Sequence, residues 1–367
     1  MGIEQAAGQL LLTSVVGSRE PTTESREVLE HVPIGGLVLF SYNLRGGPAG
    51  VTGLVAKVQE IALSRPPNLP YLIAIDHEGG RVQRLKRGFT RLPSPRIMGG
   101  LGIDALKRLA RAAADQLSAV GVNMNLAPVV EASIGAGDVI SDRSFSPEID
   151  KAALLAGAFI TGMQSRGIIA TAKHFPGNAV SSTDPHKDMP IISLSADEIA
   201  RELLPPFKAA IDSGVDAIML SHAIVPSLDR EHPIALSPKV VNGLLRKKLG
   251  FEGLICSDDL MMGAMVKRFE PARAAVLAIG AGVDLLMLSN PFKVEEVYQG
   301  ILRAVRNGVL DERLVRNACN RVVGVKKKHG LRAKVDKLIR GESLKRLGPA
   351  RKRAAKILEE FIPQSKE

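Results

Sequence analysis

The sequence predicts a single (β/α)8 TIM-type barrel of the α/β class, followed by a short basic helical C-terminal extension. The chain of 367 residues contains eight short apolar runs with helical patterns between them. Several of these helical patterns end in a glycine that leads into the next apolar run, as in "SRGII" and "GAGVDLL". Strands that alternate with helices are typical of a parallel sheet, and eight such units close into a barrel.

The eight runs are continuously apolar, which is typical of parallel strands that are buried on both faces. An open doubly wound sheet is the alternative, but the nucleotide-binding pattern G-x-G-x-x-G is missing after the first run. The predicted strands cover residues 9–16, 36–40, 71–76, 121–126, 168–174, 216–222, 253–259 and 283–289.

The segments between the runs have the apolar spacing of amphipathic helices. Leu106, Leu109, Ala113 and Leu117 fall on one face of a helix over 104–121, which Gly121 ends. Similar spacing predicts helices near 51–63, 151–166, 196–213, 238–249, 271–281 and 294–305.

Residues 1–325 are predicted to form the catalytic barrel, because no linker divides them, and residues 326–367 the extension. The extension has fourteen Lys or Arg and five Asp or Glu, a net charge of +9 out of the chain's +11. Contact with nucleic acid or another anionic polymer is one interpretation. We favour helices that pack on the barrel, because the extension has no Trp or Tyr for stacking on bases. The side chains expected to pack are Leu331, Val335, Leu338, Ile357, Leu358 and Phe361.

Composition narrows the class of protein. No apolar run approaches the length of about eighteen residues that a membrane-spanning helix needs, and no signal peptide is recognised. Cys256 and Cys319 provide neither a disulfide framework nor the spacing of metal ligands. These features predict a cytoplasmic protein, and we expect a monomer.

Polar residues cluster where five of the predicted strands end. These clusters are "AIDHEGGRVQR" from Ala74, "NMNLAPVVE" from Asn123, "KHFPGNAVSSTDPHKDMP" from Lys173, "MLSHAIVP" from Met219 and "ICSDDLMM" from Ile255. Each residue taken alone has a structural explanation, such as a helix cap or a satisfied core histidine. Convergence at one end of a barrel favours a catalytic site instead.

Glycoside hydrolysis fits these clusters better than metal or phosphate binding does. His174, Asp184, His186 and His222 lack an H-x-H pair and a second tight ligand pair. The loop after the last strand, "LSNPFKVEE", lacks the glycines of a phosphate site.

A glycosidase needs a nucleophile and a proton donor. Asp258 ends a buried strand and is the candidate nucleophile. His186 titrates near neutral pH and is the candidate acid/base, with Asp184 to orient its ring. The candidate substrate-binding residues are Asp76, Arg84, Arg143, Lys173 and His174.

The sequence resembles glycoside hydrolase family 3, in its bacterial β-N-acetylhexosaminidase branch. The resemblance runs from Gly36 to about Leu288 through "GGLVLF", "IDHEGGRVQRL", "NLAPVVE", "VISDRSF", "KHFPG", "IMLSHA" and "ICSDDLMM". It implies the same roles for the residues named above and a retaining mechanism with a glycosyl-Asp258 intermediate. It also implies removal of non-reducing β-N-acetylglucosamine from muropeptides during peptidoglycan turnover, without a metal or organic cofactor.

The sequence departs from the family pattern near the catalytic loop. Asn178 and Ala179 stand where "HG" is usual, Pro185 where a small Ser is common, and Glu131 where Asp is usual. Because Pro185 fixes one backbone angle between Asp184 and His186, it is expected to stiffen that pair.

Three other functions are compatible with parts of the sequence. A β-glucosidase-type member of the family would take its acid/base carboxylate from a second domain, for which this chain has no room. A phosphate-using variant would keep His186, since a neutral imidazole repels an incoming anion less than a carboxylate does. A non-catalytic protein that binds wall fragments or an anionic polymer is the third, although Asp258, Asp184 and His186 are all intact.

Overall fold

The apolar runs form the eight parallel strands of a closed barrel, so the predicted fold is confirmed. The computed structural model describes residues 1–133, 140–178 and 189–361. Strand order around the barrel is β1-β2-β3-β6-β7-β8-β9-β10, and pairing of Leu12 with Met287 joins the last strand to the first. Its strands are β1 (Leu11–Thr13), β2 (Gly36–Leu39), β3 (Leu72–Ile75), β6 (Met124–Asn125), β7 (Ile169–Phe175), β8 (Ala217–Leu220), β9 (Leu254–Asp259) and β10 (Leu285–Leu288), with β4 (His77–Gly79) and β5 (Val82–Gln83) forming a hairpin outside it.

Helices fill the connections between the strands. Two segments are π-helical, Ile199–Leu203 and Lys239–Lys248, and 3₁₀ turns cover Ser41–Leu44, Ile234–Leu236, Pro291–Lys293 and Leu344–Arg346. The α-helices are α1 (Ile3–Gln9), α2 (Thr23–His31), α3 (Gly47–Ser64), α4 (Pro95–Met98), α5 (Ile103–Ala119), α6 (Ile149–Gln164), α7 (Ala196–Glu198), α8 (Leu204–Asp212), α9 (Gly263–Val266), α10 (Pro271–Ala281), α11 (Val294–Arg306), α12 (Glu312–Lys328), α13 (Leu331–Ile339) and α14 (Leu347–Phe361).

The helix α2 between the first two strands is absent from the sequence prediction. Only Ser25 and Leu29 are buried in it, so its apolar spacing is weak. The hydroxyl of Thr22 accepts a hydrogen bond from the Ser25 amide and starts the helix. A mainly exposed helix therefore depends here on its cap more than on an apolar stripe.

Successive residues of each strand face two different cores. Leu72 and Ala74 of β3 pack inside the barrel, whereas Ile73 and Ile75 pack outward against the helices. Burial of both faces explains why the strands are continuously apolar in sequence.

The segment after α11, which we call the floor segment, closes the floor of the barrel at the end where the strands begin. Val322, Val325 and Leu331 pack with the side chains of the barrel interior. Asp216, just before β8, accepts hydrogen bonds from Lys328 Nζ at 2.6 Å and His329 Nε2 at 2.8 Å.

Beyond α12, the basic segment packs against the outside of the barrel. Leu331, Val335, Leu338 and Ile357 are buried and Leu358 is partly buried, as the sequence predicts. Phe361 is 44% exposed, so its predicted packing is wrong, although the Arg108 guanidinium lies 5.6 Å from its ring centre. The helix α12 continues through the boundary proposed between residues 325 and 326, and the division into two domains stays a prediction.

Among the described helices, none has both the length and the apolar character that crossing a membrane requires.

Candidate active site

A cavity of about 440 Å³ opens at the end of the barrel where the strands finish. Asp76 follows β3, Lys173 and His174 belong to the last three residues of β7, and Asp258 is the penultimate residue of β9. The cavity brings together six of the eight predicted site residues, namely Asp76, Arg84, Arg143, Lys173, His174 and Asp258.

Glu78 in the hairpin is a buried carboxylate that holds two cations beneath the cavity. It accepts hydrogen bonds from Arg143 Nε at 2.9 Å and Nη2 at 2.8 Å, and its Oε1 lies 2.8 Å from Lys173 Nζ. Burial by itself would raise the pKa of Glu78, but Lys173 and Arg143 outweigh it and lower that pKa to about 2. Glu78 is therefore ionised and fixes both cations.

Asp76 provides the second carboxylate around Lys173. Its Oδ1 accepts a hydrogen bond from Lys173 Nζ at 2.9 Å, and its Oδ2 lies 3.5 Å from Arg84 Nη2. Burial by itself would lower the pKa of Lys173, but the charges of Asp76 and Glu78 raise it overall. Lys173 is thus a charged, well-held donor at the cavity wall.

The two aspartates at the end of β9 have different surroundings. Asp259 Oδ1 accepts hydrogen bonds from the amides of Met261 at 3.0 Å and Ser289 at 2.9 Å, so this residue holds the backbone. Asp258 Oδ1 accepts only the amide of Asp259 among these groups, at 2.8 Å, and its carboxylate lines the cavity.

The pKa values of these aspartates differ in direction. Burial raises the pKa of Asp259, whereas the same effect on Asp258 is outweighed by His174, His222, the Asp259 amide and Lys173. The pKa of Asp258 is therefore lowered, and this carboxylate is ionised at neutral pH, as a nucleophile requires.

Glu131 joins the end of β7 to the chain that follows it. Its Oε1 accepts hydrogen bonds from the His174 amide at 2.8 Å and lies 3.2 Å from His174 Nδ1. Its Oε2 accepts the amide of Asn178. One buried carboxylate thus sets the orientation of a cavity histidine and the position of the Asn178 backbone.

His222 is a buried neighbour of Asp258 that follows β8. Its Nε2 lies 3.0 Å from the carbonyl oxygen of Asp259, so Nε2 carries the proton. Burial lowers the pKa of His222 despite the nearby aspartates, which act in the opposite direction. When this ring is protonated, its charge is one of the causes that lower the pKa of Asp258.

With this geometry in place, residues 2–325 match the glycosyl hydrolase family 3 N-terminal domain. The chain belongs to glycoside hydrolase family 3.

Curated relatives in this family are bacterial proteins named beta-hexosaminidase. The protein from Nitrosomonas eutropha is 36% identical over 287 residues, which cover 76% of this chain and 80% of the relative. The protein from Pseudomonas aeruginosa is 37% identical over 285 residues, which cover 77% of this chain and 82% of the relative.

Solved structures of two related enzymes have the same fold. A β-N-acetylglucosaminidase from Paenibacillus sp. superposes with a TM-score of 0.87 at 30% identity, over 96% of this chain and 69% of that one. A β-N-acetylhexosaminidase from Beutenbergia cavernae superposes with a TM-score of 0.82 at 27% identity, over 89% of this chain and 99% of that one.

The predicted acid/base pair of this family 3 chain, Asp184 and His186, lies outside the described residues, as do Ala179 and Pro185. The described chain stops at Asn178, which lines the cavity, and resumes at Met189. Within the described ranges no group of three or more His, Cys, Asp or Glu side chains is arranged to hold a metal ion. Asp184 and His186 lie outside these ranges, and the expectation of a metal-free site therefore stays a prediction.

Glu78 is a functional residue that the sequence does not predict, although it belongs to the polar cluster "AIDHEGGRVQR". The pattern alone does not distinguish Asp76, which lines the cavity, from Glu78, which lies beneath it. Because the two residues are two positions apart, strand alternation places them on the same side, where both contact Lys173 Nζ, and the sequence offers no signal that separates them.

Proposed function

We propose that this protein is a retaining exo-β-N-acetylglucosaminidase that acts on non-reducing terminal N-acetylglucosamine. The observation that carries the proposal is the ionised carboxylate of Asp258, which faces a cavity bordered by Lys173, Arg143 and Asp76. The names of the bacterial relatives and of the superposed enzymes support the same substrate class.

In the first proposed step, an oxygen of Asp258 attacks the anomeric carbon of the sugar. The bond from that carbon to the leaving-group oxygen breaks, and His186 gives its proton to this oxygen. The product is a glycosyl-Asp258 ester and a neutral imidazole at His186. Asp184 orients the ring and stabilises its charged form.

In the second step, water attacks the same carbon and returns a proton to His186. The ester bond to Asp258 breaks, and the sugar leaves with its original anomeric configuration. The residues Asp76, Arg84, Arg143, Lys173 and His174 would hold the hydroxyl groups and the acetamide of the sugar, because they offer both donors and acceptors around one cavity.

The natural substrate that we propose is a muropeptide released during peptidoglycan turnover. This part of the proposal rests on the resemblance of "KHFPG" and "SDDL" to the bacterial β-N-acetylhexosaminidase branch. A cytoplasmic location and a monomeric enzyme complete the proposal, and no metal or organic cofactor takes part in the steps above.

Trapping with a slow 2-fluoro or 5-fluoro sugar substrate, followed by peptide mass mapping, tests the nucleophile. We expect a label on the peptide that contains Asp258, and no label in Asp258→Ala. The same variant should lose at least about 10³-fold in turnover of an aryl β-N-acetylglucosaminide, because an essential nucleophile is removed.

A label on another peptide, or normal turnover by Asp258→Ala, would contradict the assignment. Parallel reactions with an aryl β-glucoside, and with and without phosphate, separate the related activities. Preference for the glucoside or formation of a sugar phosphate would replace the proposed hydrolase by one of them.

A further inference from the structure

A second cavity lies at the opposite end of the barrel from the candidate active site. It has a volume of about 620 Å³ and lies between the floor end of the barrel, at Val122 and Asn123, and the C-terminal segment from Leu331 to Arg353. Cavities of about 300–1,000 Å³ are the usual size for small-molecule sites. Nothing in the proposed glycosidase mechanism uses it.

The walls of this floor cavity carry six cations and only two carboxylates. Asp115 pairs with two of the cations, since its carboxylate lies 2.7 Å from both Arg166 Nε and Arg353 Nη2. Glu342 is directed to Arg340, with a distance of 2.8 Å from Nε to Oε1. The cations without a carboxylate at ion-pair distance among the described residues are Lys334, Lys337, Lys345 and Arg346.

Two polar groups in the wall are poorly satisfied. Lys334 Nζ donates a hydrogen bond to the Gly167 carbonyl oxygen at 2.7 Å, and burial lowers the pKa of this ammonium. The Oγ of Ser343 is buried and has no hydrogen-bond partner within the described parts of the chain. A partly buried ammonium with one acceptor and a buried hydroxyl group without a partner among the described residues would both gain from a bound anion.

Part of the remaining wall is apolar, which distinguishes the cavity from a purely ionic surface. Leu331, Val335 and Leu338 are buried side chains of the floor segment, and Val122 faces them from the barrel. A ligand that matches both parts has a strongly anionic group and a small organic portion.

From these features we propose that the floor cavity is a binding site for a small organic phosphate that carries a phosphate or pyrophosphate group. Phosphate oxygens accept several hydrogen bonds and carry about two negative charges at neutral pH, which suits the four unpaired cations and the Ser343 hydroxyl group. Its carbon skeleton would lie against Val335 and Leu338.

A ligand inside the cavity and a polymer on the surface would contact different basic side chains. Arg351 and Lys352 are exposed on α14 and do not line the floor cavity. A nucleic acid or another polyanion would use them as readily as Lys345 and Arg346, because such binding scales with the number of neutralised charges. A ligand inside the cavity would not contact Arg351 or Lys352, so replacing them would leave its affinity unchanged.

Isothermal titration of the full chain with inorganic pyrophosphate and with ADP tests the proposal. We expect one site per chain, weakened about tenfold or more in Lys345→Ala/Arg346→Ala, where each tenfold loss corresponds to about 1.4 kcal/mol. The matched control Arg351→Ala/Lys352→Ala loses the same charge from the same segment and should bind as the wild type does. Lys334→Met, which keeps the apolar stem, should weaken binding as well.

Absence of binding by either phosphate compound would overturn the proposal, and so would equal weakening in the two double variants. Binding of heparin or DNA without binding of pyrophosphate or ADP would show a polymer surface instead. Turnover of an aryl β-N-acetylglucosaminide should be unchanged in both double variants, so loss of phosphate binding is distinguishable from failure of the proposed glycosidase function.

Discussion

Glu78 is a buried carboxylate that holds two of the cations lining the candidate site. Its side chain is 1% exposed and pairs with Lys173, which is 3% exposed, and with Arg143. Removing one partner of such a buried network leaves an uncompensated charge, which costs more than the interaction itself contributes. The positions of the two cations, and not only their charge, depend on this carboxylate.

Replacement of Glu78 by Gln keeps the shape and removes the negative charge. We expect the free energy of unfolding in urea to fall by about 3 kcal/mol, and the KM for an aryl β-N-acetylglucosaminide to rise as Lys173 and Arg143 shift. The control is Glu60→Gln, since Glu60 forms an exposed pair with Lys57 at 3.1 Å. That change should cost less than about 1 kcal/mol.

The same carboxylate predicts a pH dependence of stability. The pKa of Glu78 is about 2 in the folded protein, against an ordinary value of 4.5. Its stabilisation is fully present above pH 4.5 and is lost as the pH falls from 4.5 towards 2. Unfolding curves should show this loss in the wild type and a smaller loss in Glu78→Gln, and parallel curves would contradict the role given to Glu78.

At the scale of elements, Glu131 links β7 to the loop that contains the proposed acid/base pair. It accepts the amides of His174 and Asn178, the last described residue before Asp184 and His186. Glu131 and Asn178 are both positions at which this sequence departs from the family pattern. In the structure, these two departures contact each other directly.

Glu131→Gln should lower kcat/KM by about tenfold or more, because its NH2 group replaces one of the two oxygens that accept the His174 and Asn178 amides, and a donor would then face a donor. Positioning rather than folding is the expected cause, so kcat should change more than KM and the melting temperature should stay near that of the wild type. Glu148→Gln, at an exposed site before α6, is the control.

A change in KM alone would contradict the positioning role of Glu131. Such a change would mean that the variant alters sugar binding and leaves the catalytic step unaffected. Loss of activity together with loss of folded protein would assign Glu131 a structural role only, and this outcome is visible in the melting curve.

The elements that sequence predicts well are those buried on both faces. Seven of the eight strands fall within the predicted runs, and β7 extends one residue further to Phe175, because burial on both sides requires apolar residues along the strand. The helix α2 and the hairpin of β4 and β5 do not produce such a pattern, since α2 is mainly exposed and the hairpin carries polar residues. For the site, the pattern identifies residues at strand ends, but pairing distances such as those around Glu78 depend on packing across elements that are distant in sequence.

At the scale of the whole molecule, the segment after α11 is part of the barrel and not only an appendage. Val322, Val325 and Leu331 fill the floor of the interior, and Asp216 fixes the end of α12 through Lys328 and His329. The basic residues of this segment therefore have two different surroundings. Lys328 and His329 pair with Asp216 of the barrel, and the basic residues from Lys334 onward line the floor cavity.

Asp216→Asn tests how strongly the floor segment supports the barrel. The Asp216 carboxylate is 1% exposed and is the acceptor for both Lys328 at 2.6 Å and His329 at 2.8 Å. Loss of its charge should lower the free energy of unfolding by about 3 kcal/mol, because His329 is buried and loses its anionic partner. Urea unfolding followed by circular dichroism measures this change.

The control for Asp216→Asn is Asp212→Asn, four residues earlier at the end of α8. Asp212 is 65% exposed and lies 3.7 Å from Lys208, so its replacement should cost less than about 1 kcal/mol. If the floor segment were an independent appendage, the two variants would unfold alike, and a separate early transition of the C-terminal helices would precede unfolding of the barrel. A single transition that shifts only in Asp216→Asn is the result that the buried pairing requires, because the floor and the barrel then unfold as one unit.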